Sequence, residues 1–187
     1  NKDGFIASPF ILEQEITRLT DWYTDELFNY PTCNSVKASF SRIFCDVERF
    51  EDDTLEEMSK FGMGVLYEYG DCRDRLRFVS PTLRTSILTN YYHPHHAQLE
   101  KVVANELSNK GSALIIDCHS FPQIPLKTSH HSTGYFPDFG IGTDSFHTPT
   151  QLVYHIVNFL QAEGYSIGID IPYKGCIVPQ TYYKKEA

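Results

Sequence analysis

"HTPTQLVYHIVNFLQAEGYSIGIDIP", residues 147–172, sets a helix directly against a strand. Thr148 suits the cap, Pro149 the first helical position, and Gln151 completes a capping box. Leu152, Ile156, Phe159 and Leu160 recur at helical spacing as a buried stripe, and Gly164 stops the helix. "YSIGIDIP" (165–172) then reads as a strand. Working outward, a helix is expected over about 11–28 from Leu12, Ile16, Leu19, Tyr23 and Leu27. Leu99, Val102, Val103 and Leu107 give another stripe that Gly111 terminates. "ASFSRIFCDV" (38–47), "GMGVLYEYG" (62–70) and the run Ala113 to Ile116 read as strands, with turns at "ERFEDD" (48–53) and "DCRDR" (71–75). Strands separated by helices imply an α/β domain, a mixed and mostly parallel central sheet with helices on both faces. One domain is expected over 1–187.

Composition narrows the function classes. The chain has 187 residues, 41% hydrophobic and 21% charged, ordinary for a folded domain with a sizeable core. A net charge of −8 argues against nucleic acid, whose phosphates want a basic face. No apolar run approaches a membrane span and no signal peptide is expected. The five cysteines, Cys33, Cys45, Cys72, Cys118 and Cys176, are odd in number and lack CxxC spacing. Reduced thiols and a cytoplasmic location follow as expectations.

The polar residues that interrupt this pattern are candidates for chemistry. The Ala113–Ile116 run ends on Asp117, Cys118, His119 and Ser120, and in layered α/β folds sites gather where strands end. His119 reads either as a metal ligand oriented by a carboxylate or as a hydrogen-bonded histidine at a capped strand end. Cys118 as nucleophile would face away from His119 by strand alternation. Asp21 and Asp25, spaced one helical turn apart, read as a solvated acidic face or as a pair relieved by a cation. Arg42 and Arg49 flank a strand, each suited to bidentate capture of a carboxylate or to a surface ion pair with Asp46, Glu48 or the acidic 51–53 loop. His93, His95 and His96 in "YYHPHHAQL" lack the second half of a zinc pattern and serve as well to pack or cap the following helix. Gly175, in "PYKGCIVP", allows a close backbone approach to a ligand.

In order along the chain, "TDWYTDELF", "SRIFCDVERFEDD", "GMGVLYEYGD", "YYHPHHAQL", "IIDCHSFP", "PDFGIGTDSFHTP" and "IPYKGCIVP" closely resemble the N-formylglutamate amidohydrolase family, from about residue 10 to 183. The resemblance implies a zinc carboxypeptidase-like fold and hydrolysis of an N-acyl amino acid, N-formyl-L-glutamate, to formate and glutamate. It implies zinc, with His119 and Asp21 as ligands, Arg49 as the clamp on the substrate carboxylate and Arg42 as a second substrate arginine. Where the family pattern has asparagine before that arginine, this chain has Glu48. The family's first metal histidine would precede "NKDGF", and its general-base glutamate would lie past "YYKKEA", a context Glu186 does not share, so a longer chain is expected. A zinc carboxypeptidase, another N-acyl amino-acid hydrolase, and a non-catalytic binding protein on the same fold are the alternatives.

Overall fold

The computed structural model describes residues 3–129 and 136–185. Glu186 lies outside the described residues. The described chain mixes helix and sheet and divides into two compact units, one built from residues 1–113 and 118–121, the other from 114–117 and 122–187.

The first unit is mainly helical. Helix α1, Pro9–Leu19, begins on Ser8, whose hydroxyl accepts the Ile11 N–H, with Pro9 in the first turn. It does not run on to residue 28. Thr20 turns to ψ 134°, its hydroxyl donating back to the Ile16 carbonyl, and Tyr23 takes a left-handed φ of 65° before the single turn α2, Thr24–Leu27. The apolar spacing continued across this break, but the backbone does not. Asp21 therefore sits in a tight connection and not on one helical face with Asp25. Glu15 is buried, 2% exposed, pairing with Arg18 and accepting the Asp71 N–H at 2.8 Å. Gly70 leaves the room, since a Cβ there would meet the Glu15 carboxylate.

The expected strands at 38–47 and 62–70 are turn-rich segments instead. They are buried without a period of two: Ile43 and the run Cys45, Asp46 and Val47 are buried, as are all residues from Met63 to Tyr67, and Cys45 and Val47 share one core with Val65, Leu66, Ile87, Leu88 and Tyr92. What is missing is the ladder. Asp46 N–H donates to the Val65 carbonyl at 2.8 Å, and Tyr69 forms an isolated bridge with Arg75, which closes the 71–74 turn. Sequence reading did not find helix α3, Pro81–Ile87, capped by Ser80. It continues through a π-helical turn, Leu88–Tyr92, into α4, His93–Lys110, which buries Leu99 and Val103 and ends as expected on Gly111 at φ 73°. A π turn inside a helix is a frequent companion of functional sites.

Residues 113–116 alternate as a strand would, Ala113 and Ile115 half-buried and Leu114 and Ile116 exposed, but join no ladder among the described residues. The expected buried strand is thus a partly exposed single segment.

The second unit contains a parallel β–α–β. Strand β1, Phe139–Ile141, pairs in register with β2, Ile167–Ile169, through helix α5, Thr150–Ala162. The helix is capped at Pro149 without a side-chain bond, because the Thr148 hydroxyl accepts the Asp144 N–H instead. Its stripe is only half covered: Leu152 and Leu160 are half-buried while Ile156 and Phe159 are exposed. β2 is shorter than 165–172 because Asp170, at φ 54°, turns its carboxylate back onto Thr143. This two-stranded sheet is the one ladder among the described residues. Among those residues no helix is long and apolar enough to cross a membrane.

Candidate active site

Within the first unit, the broken end of α1 delivers Asp21 to His119. Asp21 Oδ1 lies 3.6 Å from His119 Nδ1 and accepts the Ser120 N–H at 3.3 Å. Its other oxygen, Oδ2, accepts from Arg42 Nη2 at 2.5 Å. Thr24 helps fix the connection by donating to the Asp21 carbonyl. Burial pushes the Asp21 carboxyl up, but His119, then Arg42 and the Ser120 N–H, outweigh it and leave it below the usual carboxylate range. Asp21 is therefore an anion at neutral pH, half-buried and aimed at an imidazole.

Glu48 closes the other side of the imidazole. Its Oε1 lies 3.3 Å from His119 Nε2 and its Oε2 3.4 Å from Arg42 Nη2. The side chains of Asp21, Arg42, Glu48 and His119 are 24 to 31% exposed, so the cluster is shielded but reachable.

The loop carrying Glu48 and Arg49 has its own scaffold. Asp46, 2% exposed, accepts the Glu48 N–H at 3.2 Å and the Tyr67 hydroxyl at 2.8 Å. That local turn sends Val47 into the core and Glu48 out of it. Arg49 folds back, Nε 3.4 Å from Asp46 Oδ2 and Nη1 3.5 Å from Glu56 Oε1. Desolvation opposes the Arg49 charge, but Tyr67, Asp46 and Glu56 favour it and raise its pKa. The π-helical turn and α4 hold the same loop: Tyr92 Oη donates to the Arg49 carbonyl at 2.9 Å and His96 Nε2 to the Val47 carbonyl at 2.8 Å. His93 pairs with Glu51 at 3.0 Å.

The structure thus brings Asp21, Arg42 and His119 together and adds Glu48. Of the two uses weighed for Arg49, the ion pair with Asp46 is the contact present. His93 and His96 support the loop. Gly175 belongs to the second unit, where its φ is 97° and a Cβ would meet nothing within 4 Å, so the position needs left-handed backbone and not extra space. Sequence reading missed Asp46, Tyr67 and Tyr92 as loop holders. Tyr92 and His96 lie one helical turn apart, their rings 4.3 Å from each other.

A family model described as N-formylglutamate amidohydrolase matches residues 3–187. The chain belongs to the N-formylglutamate amidohydrolase family. The crystal structure of N-formylglutamate amidohydrolase from Ralstonia eutropha JMP134 resembles this amidohydrolase over 92% of the present chain and 68% of that one, with a TM-score of 0.76 and 21% identity. At that identity the likeness speaks for the fold. No curated protein matches the chain.

The family resemblance implies a metal, and the donor set can be tested for one. A tetrahedral zinc with bonds of 2.0–2.2 Å sets its ligand atoms about 3.4 Å apart. Asp21 Oδ1 and His119 Nδ1, at 3.6 Å, fit that spacing, and an ionised carboxylate beside an imidazole is suitable chemistry.

Proposed function

We propose that this member of the family hydrolyses the amide of an N-acyl amino acid, N-formyl-L-glutamate to formate and L-glutamate, and depends on zinc held by Asp21 and His119. The observation that carries the reading is the approach of Asp21 and His119, distant in sequence, at the spacing of two ligands of one ion. When bound, zinc polarises the scissile carbonyl and lowers the pKa of its water to about 7. Asp21 supplies the anionic donor through Oδ1, while Arg42 occupies Oδ2 and keeps the carboxylate from turning. Arg49 is the stronger candidate for the substrate carboxylate. Its ion pairs, at 3.4 and 3.5 Å, are longer than charge-assisted hydrogen bonds of about 2.7–2.9 Å, so an incoming carboxylate can compete for it. Arg42 is more tightly committed, and Gly175 remains a proposed point of close backbone approach.

The same reading places the chain in one zinc-exopeptidase-like domain with a larger, mostly parallel sheet, which the parallel β1–α5–β2 unit supports. It also makes a small molecule the partner, consistent with the acidic charge that disfavours nucleic acid, and keeps the cytoplasm as the location.

The test follows formate release from N-formyl-L-glutamate by wild type, Asp21→Ala and His119→Ala, before and after chelation and zinc return. Loss in both variants and zinc-restored activity in wild type are expected. Chelator-resistant turnover, or full activity in either variant, would sink the reading.

A further inference from the structure

His119 presents its two ring nitrogens to two different carboxylates. Nδ1 faces Asp21 Oδ1 at 3.6 Å and Nε2 faces Glu48 Oε1 at 3.3 Å. One guanidinium nitrogen, Arg42 Nη2, ties the far oxygens of both carboxylates, Asp21 Oδ2 at 2.5 Å and Glu48 Oε2 at 3.4 Å. The four side chains form a closed ring in which each carboxylate shows one oxygen to the arginine and the other to the imidazole.

This ring has a consequence for the histidine tautomer. A metal ligand must offer a lone pair, so a His119 that binds through Nδ1 beside Asp21 carries its proton on Nε2. That N–H then points at Glu48. A carboxylate accepting the second ring N–H of a ligating histidine fixes the tautomer and the ring orientation and raises the basicity of the ligating nitrogen. We propose that Glu48 is the positioning residue of the metal site: it accepts the Nε2 proton of His119 and so turns Nδ1 toward Asp21, with Arg42 holding both carboxylates in place. The proposal rests on Asp21 and His119 being metal ligands. It assigns a role to the glutamate that stands where the family pattern has asparagine, a shorter and neutral side chain. It also moves Arg42 from the substrate to the scaffold. The competing role for Glu48 is direct ligation, since its carboxylate and the His119 ring nitrogen are close enough to share an ion.

Zinc affinity of the apo chain, measured by competition with a chromogenic chelator, separates these roles without reference to turnover. Glu48→Ala should weaken zinc binding about 10- to 100-fold. Glu48→Gln should bind nearly as wild type, because its amide oxygen can accept the same proton. In the zinc-loaded protein the His119 Nε2 proton should be visible and slow to exchange by NMR in wild type and Glu48→Gln, and lost in Glu48→Ala. Wild-type affinity in Glu48→Ala overturns the proposal, and so does a Glu48→Gln variant as weak as Glu48→Ala, which would make Glu48 a ligand. His119→Ala is the control on the underlying reading. If it weakens zinc while Glu48→Ala does not, only the role of Glu48 is wrong; if it too leaves affinity unchanged, the metal site falls with it.

Discussion

Tyr92 holds Arg49 by the backbone: its hydroxyl donates to the Arg49 carbonyl at 2.9 Å while its ring is buried in the core of the first unit. Burial pushes the Tyr92 phenol up to about 12, with Glu51 next in effect, so the donor keeps its proton across the working range. Tyr92→Phe keeps the packing and removes only the donor. It should destabilise the chain by about 1 kcal/mol, a fall of roughly 2–4 °C in Tm for a chain of this size. It should also lower kcat/KM, because the loop that presents Glu48 and Arg49 loses an anchor. Unchanged denaturation and unchanged kinetics would show that the bond does not constrain the loop.

How much of this was legible in advance differs by element. Helices α4 and α5 were, because a 3.6-residue stripe and a terminal glycine report on local physics alone. The segments 38–47 and 62–70 show the limit: their apolar content read as strand and much of it is buried, Ile43, Cys45, Val47 and Val65 among it, but whether a neighbour completes a ladder is not written in the segment. β1 was missed because Phe-Gly-Ile offers too little side chain to show a period. Asp21 and His119 could be named from the order of the motifs, yet their meeting depends on a helix break at Thr20 that apolar spacing hid. The grip of Tyr92 and His96 on backbone carbonyls was invisible, since a carbonyl acceptor has no sequence signature.

The histidines of α4 predict a pH dependence. Burial, then His96, holds His95 below the ordinary imidazole value. Burial also lowers His96; the bond to the Val47 carbonyl opposes it, His93 lowers it further and Glu51 opposes. A histidine whose folded pKa lies below its unfolded value of about 6.5 takes up protons more readily when unfolded. Its contribution is complete above about pH 6.5 and is lost as pH falls toward the folded value. Urea denaturation across pH 5–8 should therefore show wild type losing stability below 6.5 more steeply than a His95→Gln/His96→Gln double variant. Parallel curves for the two would rule the linkage out.

Asp46 should be the costliest single carboxylate in the loop. It is 2% exposed, takes the buried Tyr67 hydroxyl and the Glu48 N–H, and faces Arg49. Asp46→Ala leaves the buried Tyr67 hydroxyl and the Glu48 N–H without their acceptor, about 1–3 kcal/mol for each group, while the part-exposed Arg49 keeps Glu56 at 3.5 Å. Asp46→Asn keeps the shape and can still accept the Glu48 N–H, but its amide NH2 cannot accept the Tyr67 hydroxyl; one group is left unsatisfied instead of two, so it should cost less, roughly 1–3 kcal/mol. Equal losses in the two variants, measured by urea denaturation, would mean that the shape of the turn matters and the charge does not.

Arg49 is the test of the substrate reading. If it clamps a carboxylate, the bond is charge-assisted in a cleft shielded from water, contributing roughly 1.5–3 kcal/mol. That corresponds to about tenfold to 150-fold in kcat/KM at 1.4 kcal/mol per decade. Arg49→Ala should lower kcat/KM for N-formyl-L-glutamate by that order. Arg49→Lys should recover only part, since an ammonium lacks the planar fork. The pairs with Asp46 and Glu56 mean that stability will also fall, so activity alone does not decide the matter. Discrimination does. The rate ratio between N-formyl-L-glutamate and the analogue whose α-carboxylate is an amide should shrink in Arg49→Ala, or the ratio with the side-chain carboxylate blocked should shrink instead, according to which end is held. If wild type and Arg49→Ala discriminate equally in both comparisons, Arg49 is only the counter-ion of Asp46, and the carboxylate is bound elsewhere.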